Sequence, residues 1–246
     1  MSVAYAQPTA AGDITTAPVA AVDRPHGMQA REIEILCRLA REEKCGTILE
    51  VGMANGSSTV ALLKTLAENG GGNMVSIDPF QNRGENGIDY GIGGQGMRNV
   101  AAAGFASMHR LMEEYDYIAL PRLVSDKAQF DMVFIDGYHS FDYTFLDFFY
   151  ADLLLKEGGI CAFHDTGWPT VYKVTDFLMR NKAYMPVGPR PSRYLSSVAM
   201  RGLRRGFHLL AGRDAELRER RMSWGSVAAF RKLRSTICAE TKLVSF

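Results

Sequence analysis

Four apolar runs in this sequence carry an acidic side chain at or beside their C-terminal end, and two of them carry a histidine there as well. Thr47-Ile-Leu-Glu50-Val opens into Gly52-Met53-Ala-Asn55-Gly56-Ser57-Ser58-Thr59. Met74-Val-Ser-Ile77 is followed by Asp78. Asp131-Met-Val-Phe-Ile is followed by Asp136-Gly137, with His139 soon after. Ile160-Cys-Ala-Phe163 is followed by His164-Asp165. Glycines at 52 and 56 let the backbone turn sharply and approach a ligand closely. A strand, a glycine turn and a helix start, with Ser57 and Ser58 as cap candidates, make a nucleotide pocket. Asp78, about 20 residues past the turn, is placed to accept both hydroxyls of a ribose. Asp116 stands where an adenine amino group would be met, and equally where a helix N-cap is expected.

The elements that position these groups alternate in type. Ile33, Leu36, Cys37 and Ala40 share one face of a helix that begins at about Met28 and stops at Gly46. Thr47 to Val51 reads as a buried strand, and a helix runs from Ser58 to Glu68. After the strand at Met74–Ile77, the Gly- and Asn-rich stretch from Pro79 to Gly96 reads as a functional loop. A short helix over 95–103, a strand over 107–113 and a helix over 117–127 follow. The strand ending at Asp136 leads into an aromatic helix whose Phe141, Tyr143, Phe145, Phe148, Phe149 and Tyr150 are assigned mostly to the core, with Leu153 and Leu154. Lys156-Glu-Gly-Gly159 breaks that helix before the strand at Ile160. A helix is expected over 170–182, then two strands, Tyr194–Met200 and Ser226–Lys232, as an antiparallel hairpin at the sheet edge. Alternating strands and helices give a parallel sheet with right-handed crossovers, whose ligands gather at the carboxyl ends of the strands.

The glycine pattern narrows the ligand. A dinucleotide site uses GxGxxG to seat a pyrophosphate on the helix dipole. Here the pattern is Glu-x-Gly-x-x-x-Gly, with a carboxylate beside the turn. It resembles motif I of class I S-adenosylmethionine (SAM) methyltransferases, whose donor has no phosphate and carries a sulfonium, an ammonium and a carboxylate. Glu50-Val-Gly-Met-Ala-Asn-Gly56, Ile77-Asp-Pro-Phe-Gln81, Phe134-Ile-Asp-Gly-Tyr-His139 and Gly158-Gly-Ile-Cys-Ala-Phe-His-Asp165 extend the resemblance to the methyltransferase 24 type over 47–182. It implies an α/β fold: a doubly wound, mostly parallel, seven-stranded Rossmann-like sheet with an antiparallel last strand.

The resemblance also implies roles. Glu50, Gly52, Met53, Asn55, Gly56, Ser57 and Ser58 would hold the methionine part of SAM, Asp78 the ribose and Asp116 the adenine, with Asp136 bordering the cofactor. Metal-dependent relatives that methylate sugars or catechols hold Mg²⁺ on carboxylates at the ends of the fourth and fifth strands. Asp136 and Asp165 match those positions, and the third ligand is open among His164, Glu85 and Asp89. His139 matches the base of the sugar enzymes, and an imidazole with an ordinary pKa near 6.5 takes a proton near neutral pH. Mg²⁺ favours oxygen donors, and its coordination acidifies a bound hydroxyl. Three readings compete with metal-assisted O-methylation of a small hydroxylated acceptor, one of them a relative of the cephalosporin hydroxylases, which share this fold but not the transfer chemistry. Another is a metal-free enzyme with a His base, in which Asp136 and Asp165 cap helices. The third is a non-catalytic SAM-binding or partner-binding domain.

Bulk properties bound the rest. A chain of 246 residues is one α/β domain with extensions, and 47% hydrophobic residues suffice for a sizeable core. With 28 basic against 27 acidic residues, no global field favours nucleic acid. Cys37, Cys45, Cys161 and Cys238 form no CxxC pair, which fits a reduced, cytoplasmic protein. No apolar run reaches the roughly 18 residues of a membrane span. Residues 1–25 read as a flexible tail, and the domain as 26–246. A basic insertion at about 201–223 holds, over 201–221, seven arginines against three acids, 7 − 3 = +4. It reads as a solvated helical insertion or a peripheral contact surface for an anionic or lipid-linked acceptor. Homo-oligomerisation is left open.

Overall fold

In the computed structural model, which describes residues 28–82, 93–187 and 226–235, each of the four apolar runs forms a strand. In chain order the strands are β1 (Thr47–Val51), β2 (Asn73–Ile77), β3 (His109–Met112), β4 (Phe130–Ile135), β5 (Leu155–Phe163), β6 (Tyr184–Val187) and β7 (Ala228–Lys232). They make one sheet in the order β3-β2-β1-β4-β5-β7-β6. The pairs from β3 across to β5 are parallel, and β7 runs antiparallel to both β5 and β6. The order reverses between β1 and β4, the switch point at which such sheets bind ligands.

Alternation along the strands divides the core in two. Ile48, Met74, Met132, Phe134 and Ile160 face α1 (Ala30–Glu42), α2 (Ser57–Glu68) and α3 (Gln95–Ala102). Leu49, Val51, Val133, Ile135 and Phe163 face α4 (Asp116–Ser125), α5 (Phe141–Leu154) and α6 (Pro169–Asn181). Both faces are covered, as a parallel sheet requires. Among the described residues no helix is long and apolar enough to cross a membrane.

Several sequence expectations are corrected. The sixth strand is Tyr184–Val187; the run at 194–200 lies outside the described residues, as do the 1–25 tail and the 201–223 insertion. Pro186 made Tyr184–Val187 a poor strand candidate, but at the sheet edge a missing donor is tolerated. β5 begins at Leu155, because Lys156 to Gly159 bulges in register against Phe130 and Met132 instead of breaking the chain's path. On α5, Phe149 and Leu153 are exposed, while Phe148 and Leu154 are core. The helix places them four residues apart on the face turned from the sheet.

A buried charge cluster locks the antiparallel edge to α5. Asp152 accepts from Lys182 Nζ (2.8 Å) and Tyr184 Oη (2.8 Å). Lys232, only 2% exposed, donates to the backbone oxygens of Asp152 and Leu155 and lies 3.7 Å from Asp152 Oδ1. Removing one partner of such a group strands a buried charge. Asp152→Ala is expected to lower the unfolding free energy by about 3–5 kcal/mol, read from urea midpoints. A loss inside 1 kcal/mol would show that water relieves Lys232.

Candidate active site

The carboxyl edge of the sheet is extended by one further row of backbone hydrogen bonds. Asp78 N donates to Met112 O, Gly52 N to Ile77 O, Asp136 N to Val51 O and His164 N to Ile135 O. Each of these residues directly follows its strand and is hooked to the last residue of the next. The row therefore aligns Asp78, Gly52, Asp136 and His164 along one rim.

Gly52 sits at its centre. Its φ is +87°, and a Cβ there would lie 2.2 Å from the Asp136 carbonyl oxygen. Only glycine allows the turn to rest on the end of β4. Gly56 caps α2 at φ 74° in the left-handed region. The serines expected as caps point elsewhere: Ser57 Oγ donates to Asn55 Oδ1 (2.9 Å), and Ser58 Oγ to Glu50 (2.6 Å). Asn99 Nδ2 and Gln81 Nε2 hold the Asn55 and Ala54 carbonyls, so α3 and the segment after β2 fix the turn from outside.

Glu50 and Asp78 are both buried at the glycine turn. Glu50 is fully buried, inside β1 beside Ser76. Its oxygens accept from Ser58, Thr59 (2.6 Å) and Ser76 (2.8 Å). Burial pushes its carboxyl up to about 7 against the pull of these three hydroxyls. Asp78 is 5% exposed. Its Oδ2 accepts from the backbone N–H groups of Met53 (3.0 Å) and Ala54 (2.7 Å), and its Oδ1 from Phe80 N. Both carboxylates shape the turn. Asp116 is the first residue of α4, not its cap, and Oδ1 accepts from Tyr117 N (2.7 Å). It faces Asp147 of α5, and no other donor among the described residues reaches Asp147's oxygens. Burial and the Asp116 charge hold Asp147 well above the usual carboxylate range.

At the other half of the rim the chemistry-bearing groups converge. His139 Nε2 lies 3.4 Å from Asp136 Oδ1 and 3.3 Å from Asp165 Oδ2. Both carboxylates lie within ion-pair distance, and this buried nitrogen makes no hydrogen bond among the described residues. Trp168 stacks on the His139 ring at 5.8 Å, and Thr170 Oγ1 anchors the His139 carbonyl. His164 Nδ1 lies 2.9 Å from Asp136 Oδ1, and its Nε2 3.3 Å from Glu32 Oε2. Burial disfavours charge on this ring, yet Asp136, Asp165 and Glu32 outweigh it and push His164 up to about 9. Asp136, His139, His164 and Asp165 are thus brought together as expected; Glu85 and Asp89 lie outside the described residues.

Residues 49–166 match the model of a methyltransferase-domain family. Over that stretch the chain is similar to a methyltransferase domain. Among solved structures, it is similar to the O-methyltransferase TomG of Streptomyces achromogenes, involved in tomaymycin synthesis and solved with SAM. The identity is 21%, over 67% of this chain and 74% of that one, with a TM-score of 0.54. An O-methyltransferase of Bacillus cereus, solved with S-adenosylhomocysteine (SAH), shares 15% over 85% and 84%, with a TM-score of 0.58. These likenesses concern the fold. No curated protein matches the sequence.

Three residues of this site escaped the sequence reading. Glu32 and Asp147 are single acids within helices, and Gln81 stands in the sequence only as the end of the Ile77-Asp-Pro-Phe-Gln81 segment. The buried Glu50 generates a test. Its folded pKa exceeds the unfolded value of 4.5. The native state therefore keeps a proton that the unfolded chain has released, and this stabilisation, full below pH 4.5, is lost as pH rises through about 7. The window is worth roughly 3 kcal/mol. Glu50→Gln cannot titrate, so its stability relative to the parent should climb by that amount between acid and neutral pH. Parallel urea-unfolding profiles would show that the three hydroxyls keep Glu50 ionised.

Proposed function

We propose that this enzyme transfers the methyl group of SAM to a hydroxyl oxygen of a small hydroxylated molecule, a sugar or a secondary metabolite. The reading is carried by one observation: the glycine turn and the His139–Asp136–Asp165 group share a rim, with Gly52 resting on Asp136 itself. A donor held by the turn at Gly52, Met53, Asn55, Gly56 and Ser57 would present its methyl group beside that group. Asp78 sets the turn that receives the ribose side, and Asp116 borders the adenine side. His139, its Nε2 between two carboxylates and without a hydrogen bond among the described residues, takes the acceptor's proton. Binding both reactants on one rigid edge supplies the alignment for in-line transfer.

A divalent cation fits part of this set. Donor atoms of Asp136, His139 and His164 lie within 4.8 Å of one another, close enough to share one ion. Asp136 and Asp165 supply the oxygen donors that Mg²⁺ favours, whereas imidazole nitrogens suit transition metals better. Asp136, Asp165 and His164 would hold the ion, which when bound would acidify the acceptor hydroxyl. With His139 as base, transfer persists without it.

Calorimetry with SAH, and methyl transfer from labelled SAM onto a panel of hydroxylated acceptors, test the reading. Tight SAH binding with no transfer to any acceptor would favour a non-catalytic SAM-binding domain. His139→Ala is expected to lower turnover by about 10²–10⁴-fold while SAH affinity stays within about twofold. Equal loss at every pH would assign the ring to packing. A chelator that abolishes transfer by the parent enzyme would establish the metal-assisted route.

A further inference from the structure

The Glu32 carboxylate lies far from the rim in sequence yet belongs to it in space. Glu32 stands in the first turn of α1, and its residue is 9% exposed. Its Oε2 accepts from Gln29 N (2.7 Å), the reciprocal half of a capping box. The same oxygen lies 3.3 Å from His164 Nε2. Ser226, just before β7, adds a hydroxyl to this carboxylate, while its backbone oxygen accepts from Thr166 N (3.2 Å). One side chain thus joins the start of α1, the approach to β7 and the His164 ring at the end of β5.

A helix cap alone does not need this arrangement. Gln29 and Glu32 satisfy each other without His164. The imidazole has one free rotation that matters here, about its bond to the backbone-anchored Cβ. With Nε2 held by Glu32, Nδ1 is directed at Asp136 Oδ1, 2.9 Å away. That oxygen is also the one that His139 Nε2 faces. Without the carboxylate behind it, His164 Nε2 would lose the contact that the structure gives it, and Asp136 would lose a fixed neighbour.

We propose that Glu32 is a positioning residue of the active site: it fixes the His164 ring and, through it, the Asp136 carboxylate that faces the proton-taking His139. The inference rests on the methyltransfer reading for its effect on turnover, but not for its effect on His164. The informative variant is Glu32→Gln, because glutamine at this position also completes a capping box and so spares the helix start. Ring nitrogens of ¹⁵N-histidine-labelled protein are followed by NMR, with the His164 signals assigned by loss in His164→Gln. Glu32→Gln is expected to move the His164 signals and to lower kcat about tenfold, the low end for losing a group that orients a site imidazole. SAH affinity should stay within about twofold, and the exposed Glu34→Gln on the same helix should move neither. Unchanged His164 signals in Glu32→Gln would overturn the proposal, since a pure cap leaves them alone. If the variant folds poorly, Glu32→Asp, with the charge drawn back by one methylene, is read by the same two signals. Moved signals without SAH binding in the parent would sink the methyltransfer reading and leave the role of Glu32 standing.

Discussion

The close approach of Gly52 to the backbone of Asp136 is the constraint on which the site depends. A methyl group in place of the Gly52 hydrogen would sit inside the Asp136 carbonyl. The turn after β1 and the end of β4 are therefore one piece of structure. The row of N–H groups from Asp78 to His164 continues that piece along the sheet, each residue tied to its neighbour's last carbonyl. The glycine turn and Asp136, separated by more than eighty positions along the chain, have no freedom to drift apart. Rigidity of this kind is what alignment for group transfer requires.

The interior beneath the rim is more polar than its surroundings suggest. Glu50 lies under α2 and is matched by three hydroxyls drawn from two different elements, Ser58 and Thr59 from α2 and Ser76 from β2. His109 extends this network through Ser76, and burial pulls its ring down to about 4. On the other face, Asp116 and Asp147 meet under Gly137, where burial and mutual repulsion favour a shared proton. Both clusters sit directly below segments that must hold a defined shape. The Glu50 oxygens, matched by three hydroxyls, specify one arrangement where apolar packing would allow several.

The parts of this site legible in the sequence were those written as strand endings. Asp136, His139, His164 and Asp165 follow apolar runs with few alternatives, and a parallel sheet forces such endings to one edge. The parts not legible depend on where a side chain points. Glu50 stands one residue from its strand's end, and that single position, by alternation, turns it under α2 instead of outward. Ser57 and Ser58 had the composition of caps, but Gly56 already supplies the helix start in the left-handed region, freeing both hydroxyls. Pro186 hid the sixth strand because a proline argues against a central strand and says nothing against an edge. Glu32 is a single acid within a helix; its contact with His164 crosses 132 positions and exists only after folding.

Polar groups along the rim fall into two kinds, and the division follows function. On the side of Asp78 and Glu50, each carboxylate meets donors of the protein itself and holds the shape of the turn. On the side of β4 and β5, the accounting is incomplete: His139 Nε2 is buried without a hydrogen bond among the described residues, and Asp165 is one-third exposed at its side chain. A buried nitrogen without a hydrogen bond is costly, and native structures keep one where something else completes it. An acceptor hydroxyl delivered against the flat face of Trp168 and the two carboxylates would do so. The unbonded ring nitrogen lies at the β4–β5 end of the rim, the end at which the proposed acceptor hydroxyl would be received.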